Sequence, residues 1–296
     1  MATTILVAGG TGNLGGRIIK ALRERGAAVR ALVRPGTDQA KLDELARSGA
    51  EAVPVDVADR AALTRAMAGA AGVVSALQGL HDVIVDAQAA LLAAAVAAGV
   101  PRFIPSDFAS DYTKTAPGGN RNFDLRREFN HRLDQQAGIA GTSILNGAFA
   151  EVLMYNPQLL DRKQHRVGFV EDADWRVDYT TMDDTAAYTA AAALDPATPR
   201  YLRIASFQLS PRQLAEVAGE VAGEPYALAD LGSRESLAAY NHRERAAHPE
   251  GEQEIYPSWQ QSQYLHSMFS VQNTSLDNAR YPELHWTSAR AVLAAR

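Results

Sequence analysis

The sequence of 296 residues contains no cysteine. This absence excludes a disulfide framework, thiolate zinc sites and cysteine nucleophiles, and it leaves the redox compartment of the protein open. Histidine does not point to another metal centre, because the seven histidines show no pairing at the spacing of metal ligands. We therefore expect neither thiol chemistry nor a bound metal ion.

Long hydrophobic runs and an excess of basic charge are also missing. The longest uncharged apolar run is Ala89–Val100, closed by Pro101, whereas a bilayer-spanning helix needs ~20 residues. No basic segment precedes an apolar stretch at the N-terminus, as a secretory signal would require. The net charge of -5 argues against a general nucleic-acid or anionic-membrane binder. We expect a cytoplasmic protein without nucleic-acid or membrane partners.

Aromatic residues are scarce, at 7% of the chain, whereas apolar residues as a whole make up 47%. Much of the apolar share is alanine, the strongest helix former, so the composition favours helices. A chain of 296 residues lies near the length, roughly 250–300 residues, at which a single hydrophobic core stops growing. One large domain, or one domain with a smaller companion, is expected.

A glycine-rich turn near the start carries the strongest functional signal. Thr4–Ala8 is a β-prone run without charge, Gly9–Gly16 follows at once, and apolar residues at helical spacing then continue to a stop at Gly26. Glycines permit a tight turn and let the backbone approach a pyrophosphate, which then lies at the helix N-terminus. The pattern predicts a dinucleotide site with contacts from Gly9, Thr11, Gly12, Asn13, Leu14 and Gly15.

The second predicted strand, Ala28–Arg34, indicates which dinucleotide binds. It lacks the acidic residue that usually contacts the ribose 2′-hydroxyl of NAD, and the first carboxylate beyond it is that of Asp38. Because a guanidinium such as that of Arg34 attracts a 2′-phosphate, NADP(H) is favoured over NAD(H). Lys41 is either a second phosphate contact or a solvated lysine at the start of a surface helix.

Short strands and helices alternate through the first half of the chain. Further strands, some with their exit loops, are predicted at Ala52–Val57, Gly72–Gln78, Arg102–Phe108 and Thr142–Gly147, with helices at Val83–Val100 and about Asp124–Ala137. This alternation is typical of an α/β fold of the Rossmann type, a doubly wound parallel sheet that binds ligands beyond the carboxyl ends of its strands. The further cofactor contacts expected there are Asp56, Val57, Ala76, Leu77, Gln78, Ser106, Phe108, Asn146 and Phe149.

One of these candidates, Asp56, has an alternative interpretation, and one further segment is predicted to be a loop. Asp56 is alternatively the N-cap of the following helix, a position for which Asp59 competes. Ser110–Phe123 is mostly polar, contains Pro117 and two adjacent glycines, and is predicted to be a mobile loop near the mouth of the site.

The alternation is lost after about Tyr155, where aromatic residues become denser. We expect residues 1–155, with elements returning near 180–206, to form a NAD(P)-binding Rossmann domain. Residues 156–296 are expected to form a smaller, interleaved substrate lobe. A simpler alternative is that ordinary loops and helices cover one end of the sheet.

Several of these segments match the motifs of a known family. The matching segments are Val7–Gly15, Val33–Arg34, Arg102–Phe108, Ile144–Phe149 and Tyr281–Thr287. The chain resembles the NmrA-like and isoflavone-reductase-like branch of the atypical short-chain dehydrogenase/reductases. The resemblance implies a Rossmann domain with a smaller substrate lobe, NADP(H) as cofactor, and reduction of phenylpropanoid-type compounds.

The chain departs from this resemblance at the lysine that acts as catalytic acid/base in those reductases. Alignment on Phe123 places Arg126 there, whereas alignment backward from Gly138 places Arg127 there. An arginine stays protonated, so it polarises a carbonyl or stabilises an oxyanion but is a poor proton donor. His131 and Tyr112 are candidate proton donors; alternatively His131 is an ordinary exposed histidine, and the two arginines belong to a solvated helix face.

Two functions of different class follow. The first is an NADPH-dependent reductase of a small aromatic or conjugated substrate, such as a phenylpropanoid, an isoflavone or lignan, or a quinone. The second is a catalytically silent NADP(H) sensor, as some NmrA-like proteins are, which acts through a protein partner. The cofactor motif and the aromatic residues of the second half favour the reductase, whereas the missing lysine favours the sensor.

Overall fold

The computed structural model describes residues 2–295, which form two compact units. Unit 1 runs from the start of the described residues to Asp107 and continues with Leu125–Ile144 and Thr185–Leu202. Unit 2 comprises Phe108–Asp124, Leu145–Asp184 and the described residues from Arg203 onward. The ranges 1–155 and 156–296 stay a prediction of domain organisation, and their outer residues, Met1 and Arg296, lie outside the described part of the chain.

The strands and helices alternate from the start of the described residues. The strands are β1 Thr4–Ala8, β2 Ala28–Val33, β3 Glu51–Pro54, β4 Gly72–Ser75, β5 Arg102–Ile104, β6 Ala140–Gly141, β7 Ser143–Leu145, β8 Ala148–Phe149, β9 Leu160–Asp161, β10 Arg166–Phe169, β11 Val177–Thr180, β12 Tyr201–Arg203, β13 Phe207–Leu209 and β14 Ala227–Asp230. The α-helices are α1 Asn13–Glu24, α2 Gln39–Arg47, α3 Arg60–Met67, α4 Gln88–Ala97, α5 Arg121–Asp134, α6 Met182–Leu194, α7 Pro211–Ala222, α8 Arg234–Ala247, α9 Ser258–Met268 and α10 Ala289–Ala294.

Unit 1 is built on a six-stranded sheet with the strand order β3-β2-β1-β4-β5-β6. All neighbouring strands are parallel, and Ile5 of β1 lies between Val29 of β2 and Gly72 of β4. The strand order reverses between β1 and β4, which is the switch point where doubly wound sheets bind ligands. The predicted fold class is therefore confirmed.

The core of unit 1 explains why these elements form. β1 is central because Ile5, Leu6 and Val7 have no exposed surface and no charge interrupts them. On one face, apolar side chains of α3, α4 and α5 join the residues of the sheet in a single buried cluster. The ring centroids of Phe129 on α5 and Phe103 on β5 lie 5.7 Å apart. This packing holds α5, which carries the two candidate arginines, against the sheet.

The strand predicted over Thr142–Gly147 is present as β7, Ser143–Leu145, but its prediction as the sixth strand of the parallel sheet is wrong. β6 is the sixth strand of the parallel sheet, whereas β7 pairs with β12 and β8 pairs with β11. The run breaks at Gly147, which has a φ of +67° and lies so close to the backbone of Asp178 that a Cβ would overlap the Asp178 carbonyl oxygen. The left-handed backbone at Gly147 separates β7 from β8, and the close approach to Asp178 requires glycine there.

The long helix predicted over Val83–Val100 is not α-helical throughout. It begins with a π-helical segment, Asp82–Ala87, and becomes α-helical only at Gln88. The Gln88 side-chain amide donates to the carbonyl oxygen of Ile84 over 2.6 Å, so that carbonyl has a side-chain partner where the helix is irregular. Such π segments occur often at functional sites.

Unit 2 contains two small sheets around its own core. β11 lies between β13, which is antiparallel to it, and β8, which is parallel; β10 lies between β14 and β9. The core between them includes Val167, Leu265 and Phe269. None of the helices within residues 2–295 is long and apolar enough to span a membrane.

The loop predicted to be mobile, Ser110–Phe123, is anchored at both ends within unit 2. The buried Asp111 carboxylate accepts a hydrogen bond from Arg203 Nε over 2.6 Å. The buried Arg121 guanidinium donates to the carbonyl oxygens of Gly251 and Glu254. Only the middle of the loop is mainly exposed.

Candidate functional site

Gly9 and Gly15 fold the glycine loop tightly onto itself. Gly9 has a φ of +83°, and a Cβ there would lie 2.5 Å from the carbonyl oxygen of Ala76. A Cβ on Gly15 would overlap the carbonyl oxygen of Gly9. The Gly12 N–H donates to that same oxygen over 3.0 Å and closes the turn. The loop therefore has the compact backbone that allows a ligand to approach the main chain closely.

The N-terminus of α1 is not capped by its own side chains. Gly12 precedes the helix, offers no side-chain acceptor, and is followed by a first turn without acidic residues. The next two helices differ, because Asp38 caps α2 and Asp59 caps α3. The uncapped N–H groups and the positive end of the helix dipole form the kind of site that binds a phosphate.

A groove of ≈ 810 Å³ runs beside this helix end, within the range of roughly 300–1,000 Å³ typical of ligand sites. The glycine loop, α1 and α2 line it, and five of its side chains are basic while two are acidic. The basic side chains are Arg17, Lys20, Arg23, Lys41 and Arg47. The groove is thus locally cationic although the chain as a whole carries a net charge of -5, which suits a phosphorylated ligand.

The candidates predicted for the adenine half of the cofactor lie beyond β2 and β3. Arg34 is exposed immediately after β2, and its carbonyl oxygen accepts hydrogen bonds from Thr37. The interpretation of Asp56 as the helix cap is wrong, because Asp59 accepts from the Ala62 N–H while Asp56 accepts from the Ala58 N–H. Asp56 and Val57 are exposed beyond β3, and their contact with a cofactor stays a prediction.

Leu77 and Ser106 come together where β4 and β5 end. The Ser106 hydroxyl donates to the carbonyl oxygen of Leu77 over 2.7 Å. The Ser106 N–H donates to the side-chain oxygen of the fully buried Gln88 over 2.9 Å. On the other side, the Ala76 N–H donates to the carbonyl oxygen of Ala8. These bonds fix the two exit turns beside the glycine loop, with Gln78 exposed in the first of them.

Helix α5 distinguishes the two candidate arginines. Residues three and four positions from Arg126 on either side are all buried: Asn122, Phe123, Phe129 and Asn130. The corresponding neighbours of Arg127 include the half-buried Asp124 and the exposed His131. Arg126 therefore lies at the centre of the buried face of α5, and Arg127 lies at its edge. The exposed His131 ring is 2.8 Å from the side-chain nitrogen of Gln135.

Four predicted site residues belong to unit 2. Tyr112 is buried, with its ring centroid 6.1 Å from that of Phe123. Phe108 is also buried, and Phe149 pairs through its backbone with Thr180. Asn146 has no exposed surface, yet neither its amide nitrogen nor its amide oxygen has a hydrogen-bond partner within residues 2–295. A buried amide in this state is expected to bind a polar ligand group, because leaving it unbonded costs ~1–3 kcal/mol.

Sequence reasoning missed Gln88 and Asp107. Gln88 is followed by an apolar run in the predicted helix and has Asp86 two residues before it, and its polar side chain in that setting was the available signal. Asp107 is fully buried and accepts hydrogen bonds from Asn130 and Ser143, which no sequence spacing indicates. Within the described residues, no group of three or more histidine and acidic side chains could hold a metal ion.

The parallel sheet and the glycine loop at an open helix end define a dinucleotide-binding α/β protein. The profile of the NmrA-like family matches residues 1–245. The chain belongs to this family, and the resemblance seen in the sequence is confirmed.

Two plant reductases are among the similar proteins of known function. Pinoresinol reductase 2 from Arabidopsis thaliana is 33% identical over 210 residues, which is 66% of this chain and 66% of that protein. Bifunctional pinoresinol-lariciresinol reductase 1 from Linum usitatissimum is 32% identical over 249 residues, covering 79% of this chain and 80% of the relative.

Solved structures show the same fold over nearly the whole chain. AtPrR2 with NADP+ and (+)pinoresinol superposes with a TM-score of 0.79 at 26% identity, covering 99% of this chain and 98% of that one. An isoflavone reductase gives a TM-score of 0.81 at 21% identity, with 99% of each chain covered. The binary complex of leucoanthocyanidin reductase with NADPH from Vitis vinifera gives 0.80 at 21% identity, with 98% of each chain covered.

Proposed function

We propose that this protein is an NADPH-dependent reductase of a small aromatic or conjugated substrate. The observation that carries the proposal is the uncapped N-terminus of α1, which opens beside a cationic groove and packs so tightly on the preceding loop that neither Gly9 nor Gly15 has room for a side chain. Similarity at 32–33% identity to pinoresinol reductases supports the reductive activity. The substrate class proposed is a phenylpropanoid of the isoflavone or lignan type, or a quinone.

The residues of the site fit NADP(H). The glycine loop residues Gly9, Gly12 and Gly15 would hold the pyrophosphate with backbone N–H groups. Arg34 and Lys41 would hold the 2′-phosphate, since no acidic residue stands at the end of β2 to repel it. The fully buried, unbonded amide of Asn146 is proposed to bind the carboxamide of the nicotinamide. When bound, NADPH supplies the hydride.

Arg126 is proposed as the group that acts on the substrate. It lies on the buried face of α5, whereas Arg127 lies at the edge of that face. Its guanidinium stays protonated and donates several hydrogen bonds, so it stabilises negative charge that develops on a substrate oxygen. It does not deliver a proton. The proton comes from water or from one of the weaker candidates, His131 and Tyr112.

This chemistry favours acceptors that need charge stabilisation more than proton transfer. A quinone or an enone already carries an electrophilic carbon, and hydride addition places charge on its oxygen. A substrate whose reaction needs a general base gains little from an arginine, because the side chain is not deprotonated in proteins. We therefore rank quinones and enones above lignan ethers as substrates.

The second candidate function is a catalytically silent NADP(H) sensor that acts through a protein partner. The arginine in place of the family lysine favours it. One experiment separates the two: NADPH oxidation is followed with a panel of quinones, enones, isoflavones and lignans, and NADPH affinity is measured by calorimetry. Turnover with one class supports the reductase. Intact NADPH binding without turnover on any class would support the sensor.

A further inference from the structure

A chain of buried polar side chains in unit 1 connects a carboxylate to a guanidinium. At one end, the fully buried Asp107 carboxylate accepts hydrogen bonds from Asn130 Nδ2 over 2.7 Å and from Ser143 Oγ over 2.6 Å. At the other end, Arg200 donates to Ser143 Oγ over 2.7 Å and to Asn130 Oδ1. Two neutral side chains thus bridge two opposite charges.

The charges fix the orientation of both neutral side chains. A carboxylate only accepts hydrogen bonds, and a guanidinium only donates them. The Asn130 amide therefore directs its nitrogen toward Asp107 and its oxygen toward Arg200. The Ser143 hydroxyl donates to Asp107 and accepts from Arg200. Charge-assisted bonds of this kind are about twice as strong as neutral ones, so the arrangement has a single favoured orientation.

The chain ends on the backbone of Arg126. Asn130 Nδ2 carries two hydrogens, one of which goes to Asp107 while the other goes to the Arg126 carbonyl oxygen over 2.9 Å. Asp107 directly follows Ser106, whose N–H and hydroxyl are bonded to Gln88 and Leu77. The same side chains therefore tie the turn of α5 that carries Arg126 to the exit turn of β5.

We infer that Asp107, Asn130, Ser143 and Arg200 are positioning residues that set the placement of Arg126 for the reduction. The inference rests on the proposed function, because Arg126 needs positioning only if it acts on a substrate. Arg200 lies on the last segment of unit 1 to be reached along the chain, far in sequence from Arg126. The Arg200 guanidinium also donates to the Asp134 carboxylate over 2.7 Å, which restricts its orientation.

A double-mutant cycle tests this inference. Asn130→Ala and Ser143→Ala are made in the wild-type chain and in an Arg126→Ala background, and kcat, KM and the NADPH affinity are measured with the best quinone. We expect each single change to lower kcat on the order of 10- to 100-fold, as misplacement of a catalytic group by about 1 Å does, while NADPH affinity is unchanged. In the Arg126→Ala background the same changes are expected to have little further effect, because coupled residues are non-additive.

Two further variants distinguish the loss of positioning from a general loss of folding. Arg200→Lys keeps the charge but loses the planar set of donors, and we expect its kcat to lie between those of wild type and Arg200→Ala. Arg132→Ala on the same helix removes an exposed ion pair with Glu128 and is expected to leave kcat unchanged. Equal losses in the wild-type and Arg126→Ala backgrounds would overturn the positioning role alone. A wild-type enzyme without turnover on any substrate would overturn the proposed function and this inference together.

Discussion

A side chain on Gly15 would overlap the carbonyl oxygen of Gly9, whereas a side chain on the next residue, Gly16, would lie 3.6 Å from the nearest backbone oxygen. Both glycines are in the first turn of α1. Adjacent positions in one helix thus differ in whether they accept a methyl group. The close approach of Gly15 to Gly9 is what sets the shape of the proposed phosphate site.

Gly15→Ala is expected to destabilise the protein by about 1–3 kcal/mol, the cost of an extra methyl group in a packed site, and to abolish NADPH binding. Gly16→Ala is the matched control, and it is expected to stabilise the protein by about 1 kcal/mol because alanine is the better helix former. Thermal unfolding and calorimetric titration with NADPH measure both effects. Equal behaviour of the two variants would contradict the tight-loop geometry.

Arg34→Ala is expected to weaken NADPH binding by about 10- to 100-fold, the loss of one or two charge-assisted hydrogen bonds. NADH binding should not change, because NADH lacks the 2′-phosphate. Arg60→Ala, an exposed arginine on α3, is the control for loss of charge alone. Unchanged discrimination between the two cofactors in Arg34→Ala would remove this residue from the cofactor site.

Arg126→Ala is expected to lower kcat on the order of 100- to 1,000-fold, as removal of an oxyanion-stabilising donor does. Arg127→Ala is expected to retain most of the rate, because Arg127 lies at the edge of the buried face. Arg126→Lys should add an alkaline decline to the pH–rate profile, since lysine titrates and arginine does not. Equal, near-wild-type rates for the two alanine variants would remove both arginines from the mechanism.

A stability prediction concerns Glu252 in unit 2. Partial burial alone would raise the pKa of Glu252, but hydrogen bonds and positive charge from Arg245 and Arg121 hold that pKa below its usual range. Because the folded pKa is depressed, the stabilisation is present above the unfolded pKa of ~4.3 and is lost as the pH falls through the folded value. Glu252→Gln should therefore unfold at a lower temperature than wild type at neutral pH.

The temperature gap between wild type and Glu252→Gln should begin to narrow as the pH falls below the unfolded pKa of ~4.3, and it should close only below the depressed folded pKa, where both side chains are uncharged. Glu235→Gln on the exposed side of α8 is the control, and it should follow the wild-type curve more closely. Thermal unfolding from neutral to acidic pH gives the comparison. A gap that stays constant over this range would show that the Glu252 charge does not stabilise the fold.

The elements with local signals were predictable from the sequence. The bounds of β1 agree residue for residue, and Gly26 ends α1 as expected, because burial of a short apolar strand and a glycine stop are read from neighbouring residues. That β6 rather than β7 completes the parallel sheet was not predictable. β6 pairs with β5, whereas β7 pairs with β12, so the arrangement depends on residues up to about 60 positions away.

The residues of the candidate site also divide into those with a local sequence signal and those whose role depends on distant parts of the chain. The glycine loop and the basic end of β2 were indicated by local motifs, and the structure adds the cationic groove beside the glycine loop. The sequence left Arg126 and Arg127 as alternatives, because the two alignments differ by one residue. The proposal of Arg126 rests on the position of the buried face of α5, which the sequence did not show. Gln88 and Asp107 act through hydrogen bonds to residues distant in sequence, and such bonds leave no periodic pattern.

The chain passes between unit 1 and unit 2 five times, so neither unit is encoded by a continuous stretch of its gene. A single recombination event cannot exchange the second unit as a cassette, and a single proteolytic cut cannot release either unit. During synthesis, unit 1 lacks its last segment until Leu202 has left the ribosome. Replacement of either unit by that of a relative would therefore require several coordinated crossovers along the gene.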